Sequence, residues 1–227
     1  MNILEAREVT KTYTVGEQQI DVLKHVSFSA SEGEFIVIQG SSGSGKSTLL
    51  SLLSGLDQPT SGSILLGGRD ITHLSEDELA PLRNATIGFV FQSFHLVPSL
   101  TALENVMFPA ELKGDRQARS KAQTLLKRVG LEDRQENFPH QLSGGEKQRC
   151  AICRALINQP RIIFADEPTG NLDAANNRAI LDLLLDIHRE SQTTMILVTH
   201  SLDIARTADR IIRLEDGRIT GDTTHVA

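Results

Sequence analysis

The chain has 227 residues, 39% hydrophobic and 23% charged, which excludes a disordered or fibrous polypeptide and allows one large α/β domain. With 23 Lys and Arg against 29 Asp and Glu the formal charge is −6, a poor match to a protein that grips nucleic acid over a broad face. Two cysteines exclude a disulfide framework and point to a reducing compartment, and the scarcity of aromatics leaves the core to Leu, Ile, Val and Ala.

No apolar run approaches the roughly 18 residues of a bilayer-spanning helix. Residues 1–10 carry acids and no apolar leader core, so the expectation is a cytoplasmic protein. Val22–Ser29 and Phe35–Gln39 read as strands, the second fully buried. A glycine-rich turn leads into an expected helix, Lys46–Ser54. Ser63–Leu66 and Thr86–Phe91 read as further strands. Ser75-Glu-Asp-Glu78 and Thr101-Ala-Leu-Glu104 fit capping boxes. Helix signals then dominate to residue 158. Strand character returns at Arg161–Asp166, helix at Ala174–Glu190 and strand at Thr193–Thr199, with short elements beyond. Strand–helix alternation on both sides of a helical insert predicts an α/β fold with a mostly parallel sheet.

Gly40-Ser41-Ser42-Gly43-Ser44-Gly45-Lys46-Ser47 matches the phosphate-loop pattern G-x-x-x-x-G-K-[ST] at every position, between an expected strand and an expected helix. Glycines permit the positive φ that turns successive N–H groups toward phosphate oxygens. The helix N-terminus adds a dipole that favours anions. Lys46 supplies charge for the β- and γ-phosphates, and Ser47 a hydroxyl for Mg²⁺. Arg161-Ile-Ile-Phe-Ala-Asp166-Glu167 is an apolar strand ending in two carboxylates, at the edge of a parallel sheet where ligands bind. Asp166 is the candidate for holding Mg²⁺, largely through water, and Glu167 the candidate for taking a proton from attacking water.

Leu142-Ser143-Gly144-Gly145-Glu146, between these two motifs, resembles the signature of ATP-binding cassette (ABC) ATPases. The other family marks stand in order. Tyr13 matches the adenine-stacking aromatic, Gln92 the Q-loop glutamine, Gly170-Asn-Leu-Asp173 the D-loop and His200 the switch histidine. The resemblance covers essentially the whole chain. Phe91–Pro98, Ala102–Val106 and Ala165–Asp173 are similar to the ATPase subunits of the lipoprotein-releasing and macrolide-exporter group.

The resemblance implies a P-loop NTPase (RecA-like) core, an N-terminal antiparallel β subdomain and an inserted helical subdomain. Residues 1–227 form one ABC ATPase domain, with 1–92 and 159–227 as core plus β subdomain and 93–158 as the helical part. It implies hydrolysis of ATP to ADP and phosphate, with Glu167, His200 and Lys46 as catalytic residues. ATP is held by Tyr13, Gly40, Ser41, Ser42, Gly43, Ser44, Gly45, Lys46, Ser47, Thr48 and Gln92, and Mg²⁺ by Ser47, Gln92 and Asp166. Ser143, Gly144, Gly145 and Glu146 reach the ATP of a second copy, Asp173 lies in the D-loop, and two chains form a homodimer with ATP sandwiched between them. The implied partner is a separate transmembrane permease subunit, docked against the apolar stretch Phe94–Phe108, with no nucleic acid. The chain is then peripheral on the cytoplasmic face of the inner membrane. The alternative is a regulatory cassette that signals through a membrane partner without transport, and no residue separates the two.

Some signals stay open. Ser143-Gly-Gly-Glu146 also fits a capping box, which competes with phosphate for the Ser143 hydroxyl. In the sharper reading the two glycines leave this helix N-terminus bare for a phosphate. Cys150 and Cys153 stand at C-x-x-C spacing inside an expected helix, so they read as small core hydrophobes, neither a redox pair nor a zinc site. Lys147, Arg149 and Arg154 read as a solvated face or a partner contact.

Overall fold

The computed structural model describes residues 1–199 and 202–224. The chain opens with two long strands, β1 (Asn2–Val15) and β2 (Gln18–Ser31), joined by the two-residue turn Gly16-Glu17. β3 (Phe35–Gln39) is almost wholly buried and runs into the phosphate loop, which starts α1 (Lys46–Leu53). β4 (Ser61–Leu66), β5 (Arg69–Asp70), α2 (Glu76–Thr86) and β6 (Ile87–Val90) follow. Helices α3 (Ala102–Leu112), α4 (Ala118–Arg128) and α5 (Gly144–Leu156) occupy the expected helical insert. The capping boxes at Ser75, Thr101 and Ser143 set the starts of α2, α3 and α5. The chain then alternates through β7 (Ile162–Asp166), α6 (Ala174–Ser191), β8 (Thr194–Val198), the short α7 (Leu202–Ala205), and the hairpin β9 (Arg210–Glu215) and β10 (Arg218–Thr224).

Two sheets result. One is four-stranded and antiparallel in the order β2-β1-β4-β5. The other is six-stranded in the order β10-β9-β3-β8-β7-β6, parallel except for the terminal β9–β10 pair. Residues 2–15, where the sequence showed little beyond their acids, form the strand that joins β2 to β4. The acids are accommodated because β1 is irregular. Its register shifts between Ala6 and Val9, and Glu8 takes a left-handed φ of 50° while its N–H bonds Ser27 Oγ.

Alternation along the parallel strands fixes two cores. Ile36, Ile38, Ile162, Phe164, Ile196 and Val198 face α1 and the antiparallel sheet. Phe35, Val37, Ile163, Ala165, Met195 and Leu197 face the other way, onto α6. A third core, with Leu103, Val106, Leu126, Leu131, Cys150 and Cys153, holds α3, α4 and α5 together. Phe164 is 0% exposed at the centre of the first core. Phe164→Ala should therefore cost about 3–5 kcal/mol in urea unfolding, while Leu112→Ala, at a site 67% exposed, should shift stability by less than about 0.5 kcal/mol.

Candidate functional site

The phosphate loop is built around Gly45. It caps α1 in the left-handed region at φ 100°, and a β-carbon there would lie 2.9 Å from both Leu23 Cδ2 and Val22 O. Conformation and space both demand glycine. No side chain caps α1, so its first N–H groups are left to a ligand. Lys46 is only 5% exposed, and its Nζ donates to the carbonyls of Gly40 (2.9 Å) and Ser41 (2.8 Å). Burial lowers the Lys46 pKa, opposed by the carboxylates of Glu167 and Asp166. From behind, the β9–β10 turn closes on the loop. Gly217 N donates to Ser44 O at 3.2 Å, and Leu214 O stands 2.1 Å from where a side chain at Gly40 would begin.

The acidic strand ends beside this loop. Ile38 of β3, Val198 of β8 and Asp166 of β7 are paired across three parallel strands, so their C-terminal ends lie level. Asp166 Oδ1 is buried with no hydrogen-bond partner. Burial raises its pKa; the Ser47 hydroxyl, hydrogen-bonded to the carboxylate, lowers it, the Glu167 charge raises it and Lys46 lowers it. A buried carboxylate oxygen without a donor, next to a serine hydroxyl, is the oxygen-rich setting that suits a hard divalent cation. Glu167 adopts φ 43°, a conformation that costs a non-glycine residue about 1 kcal/mol or more. Its N–H is held by Val198 O at 3.0 Å and its carbonyl by Gly170 N at 3.0 Å.

Lys46, Ser47, Thr48, Gln92 and Glu167 line one cavity of about 370 Å³, with Ser42, Gly43 and Gly45 as its floor. Gly40, Ser41 and Ser44 do not face it. The first two give carbonyls to Lys46, and Ser44 is buried against Gly217. Gln92 is tied to the D-loop: Asn171 Nδ2 donates to its carbonyl at 3.0 Å. Tyr13 stands outside the cavity wall, 39% exposed, its hydroxyl on Asp57 and close to Thr48. His200 lies outside the described residues.

The signature residues are away from this cavity. Ser143 Oγ accepts from Glu146 N at 3.3 Å, and Glu146 Oε2 accepts from Ser143 N at 2.8 Å, which closes the capping box. Gly145 also has a packing role. A β-carbon there would meet Asn176 Oδ1 at 2.4 Å, so the glycine admits Asn176 of α6. Asn176 Nδ2 in turn donates to Asp173 at 2.8 Å, and Asp173 also caps α6. The D-loop acid and the signature glycine thus meet through a residue that no motif singles out. Arg154 also departs from the expected solvated face: its guanidinium donates to Phe94 O (2.9 Å) and His95 O (2.5 Å), and burial lowers its pKa. Phe94 and His95 both take a left-handed φ, 62° and 50°, which neither residue type signals. Cys150 and Cys153 are both 0% exposed, and burial pushes the Cys150 thiol up to about 12.

Residues 23–170 match the family described as ABC transporter. The chain is 47% identical over 223 residues to the macrolide export ATP-binding/permease protein MacB of Syntrophobacter fumaroxidans, covering 96% of this chain and 31% of that protein. It is 48% identical over 221 residues to the MacB of Chlorobaculum tepidum, covering 97% and 34%. The chain thus spans about a third of the length of these relatives. It is 46% identical over 230 residues to the uncharacterized ABC transporter ATP-binding protein YvrO of Bacillus subtilis, covering 98% of this chain and 100% of that one. The solved dimer of the ATP-binding cassette MJ0796 in a post-hydrolysis state, bound to ADP and Pi, matches with a TM-score of 0.92 at 43% identity over 99% of both chains.

The electrostatics of Asp166 yield a stability prediction. Its pKa is higher in the fold than in the unfolded chain, so its ionised form penalises the fold above the folded pKa. That penalty shrinks as pH falls from the folded pKa towards the unfolded value, below which both states are protonated. Asp166→Asn should therefore unfold at a higher urea midpoint than wild type at pH 7, with the gap closing as the pH is lowered through the carboxylate range.

Proposed function

This chain belongs to the ABC transporter family and is an ATPase of the ATP-binding cassette type, and we propose that it drives a separate membrane-spanning subunit by closing on ATP as a homodimer and reopening after hydrolysis. The observation that carries the reading is the convergence of Lys46, Ser47, Gln92 and Glu167 on one cavity, with Asp166 beside it at the edge of the parallel sheet. The loop amides and the α1 N-terminus take up phosphate charge. An ammonium has three donors, and two of those on Lys46 already brace the loop, which fixes the direction of the third.

Ser47, Asp166 and Gln92 would hold Mg²⁺, which would supply positive charge against the phosphates. Glu167 holds its carboxylate where an attacking water can give up a proton. Its backbone is pinned to β8 through Val198, so the side chain starts from a rigid position. The role of His200, orienting that water and the γ-phosphate, rests on the sequence. Tyr13 stacks on the base.

The signature and the capping box need not compete. A hydroxyl can accept one hydrogen bond while donating its own proton, so Ser143 can keep Glu146 N and still donate to a γ-phosphate brought by a second copy. Asp173 shares that interface through Asn176. For the membrane partner, a groove of about 290 Å³ lies between the core and the helical segment, lined by Leu56, Phe89, Phe91 and Pro109 with Arg83 and Asn158 at its polar edge. Phe108 and Leu112, 43% and 67% exposed, extend the apolar surface on α3. A short amphipathic helix fits such a groove. No helix among the described residues is long and apolar enough to cross a membrane, and two relatives are named as ATP-binding/permease proteins. These points support a partner that spans the membrane, in an exporter or lipoprotein-releasing type of system on the cytoplasmic face of the cell membrane.

Glu167→Gln tests the reading. The swap keeps shape and removes the base, so turnover should fall by about 10²- to 10⁴-fold while ATP still binds. Size-exclusion with light scattering should then show an ATP-dependent dimer. A variant that stays monomeric at high ATP and hydrolyses at the wild-type rate would remove Glu167 from the role of base. Ser143→Arg, added to Glu167→Gln, should abolish the dimer without blocking ATP binding to the single chain. A dimer that survives that change would overturn the shared site.

A further inference from the structure

Two stretches of chain far apart in sequence meet at Tyr13. Its Oη donates to Asp57 Oδ2 at 2.8 Å. Lys11 Nζ donates to Asp57 Oδ1 at 2.7 Å and to Gln58 O at 2.6 Å. The same ammonium stands 4.8 Å from the centroid of the Tyr13 ring, over one of its faces. The Lys11 side chain is only 12% exposed, unusual for a lysine on the outer antiparallel sheet.

Asp57 belongs to the turn that ends α1. Its N–H donates to Ser51 O at 3.2 Å inside that helix, and its Oδ1 also accepts from Gln58 N at 2.7 Å. α1 begins in the phosphate loop. The aromatic on β1 is therefore fastened to the helix whose other end binds phosphate. Thr48, in the first turn of α1, lies close enough to the phenol to act on it. Nucleobase and phosphates are joined through one ribose of limited reach, so the height of the ring above the loop affects how well both can be satisfied together.

We propose that Asp57 is a positioning residue for nucleobase binding, which together with Lys11 clamps Tyr13 so that one ring face is closed by the ammonium and the other is held for the base. The proposal rests on the reading of Tyr13 as the base-stacking aromatic. An unclamped tyrosine would have to give up side-chain freedom on binding, whereas a clamped one has already lost it. The cation also attracts the electron-rich face of the ring, so it keeps that face covered.

The chain has one tyrosine and no tryptophan, so tyrosinate absorbance reports on Tyr13 alone. Burial and the Asp57 carboxylate both raise its pKa. In the full chain, tyrosinate should form at a lower pH in Asp57→Ala than in wild type. An unchanged titration overturns the clamp.

Binding is read by calorimetry with two probes, ADP and inorganic triphosphate, which has no base. Asp57→Ala and Tyr13→Phe should each weaken ADP by about three- to tenfold, the loss of one hydrogen bond. The double variant should be no worse than the weaker single one, because both changes cut the same bond. Asp57→Asn, which keeps an acceptor for the hydroxyl, should recover part of the loss. Triphosphate affinity should stay at the wild-type value in Tyr13→Phe. In hydrolysis assays Asp57→Ala should raise KM for ATP and leave kcat in place.

Should Asp57→Ala disturb the loop and lower triphosphate affinity as well, Tyr13→Phe decides, since it leaves Asp57 and Lys11 untouched. Tyr13→Ala separates the two levels of the reading. It should weaken ADP roughly tenfold or more. If it does not, base stacking by Tyr13 fails and the positioning role falls with it. If Tyr13→Ala weakens ADP while Tyr13→Phe and Asp57→Ala do not, stacking stands and the positioning role alone is overturned.

Discussion

β3, β8 and β7 end level with one another, and the chemistry of the protein depends on that register. Ile38, Val198 and Asp166 are paired across the three strands, and β6 joins through Val90 and Ala165. Parallel strands present all their C-terminal ends at one edge, so the phosphate loop, the acids and the loop bearing Gln92 emerge side by side. The apolar residues behind them are almost completely buried, which makes the edge stiff. The same burial works against the charges held there. Lys46 is pushed down and Asp166 up, each away from its ionised form, and each partly restrains the other's shift. Phosphate charge would complement Lys46, and a cation's charge would complement Asp166.

Much of this edge could be read in advance. The phosphate loop, β3, β7 and β8 announce themselves because buried parallel strands are short, apolar and followed at once by polar chemistry. β1 was hidden for the opposite reason. Its bulges around Glu8 break the period of two, so a 14-residue strand reads as an acidic segment. The β9–β10 hairpin gave only short elements, since half of its residues face outward and are polar. The contacts of Asp57, Asn176 and Arg154 are not legible in the sequence. Each acts through a contact between segments far apart in the chain, and none belongs to a motif.

These late-found contacts have a pattern. Asn171 joins the D-loop to Gln92, Asn176 joins it to Gly145, and Arg154 on the signature helix holds the carbonyls just after Gln92. The loop after β6 is thus hydrogen-bonded to the segment after β7 and to the last turn of α5, while Asn176, bonded to Asp173, packs against Gly145 at the start of α5. A shift of the loop after β6 has to be met by both of its neighbours, because these donors and acceptors are already matched. These side-chain amides and one guanidinium tie the motif segments to one another mechanically.

The buttress behind the phosphate loop bears on how the protein is made. β3 lies between β8 and β9 in the sheet, and the loop that follows β3 rests on Leu214 and Gly217. A ribosome-bound chain that has emerged only as far as residue 190 carries the complete Gly40–Ser47 motif and yet has neither strand that flanks β3. Its nucleotide pocket cannot set until β8, β9 and the turn at Gly217 have left the exit tunnel, because non-local strands must find β3 first. A copy still lacking these strands is thereby kept from engaging nucleotide.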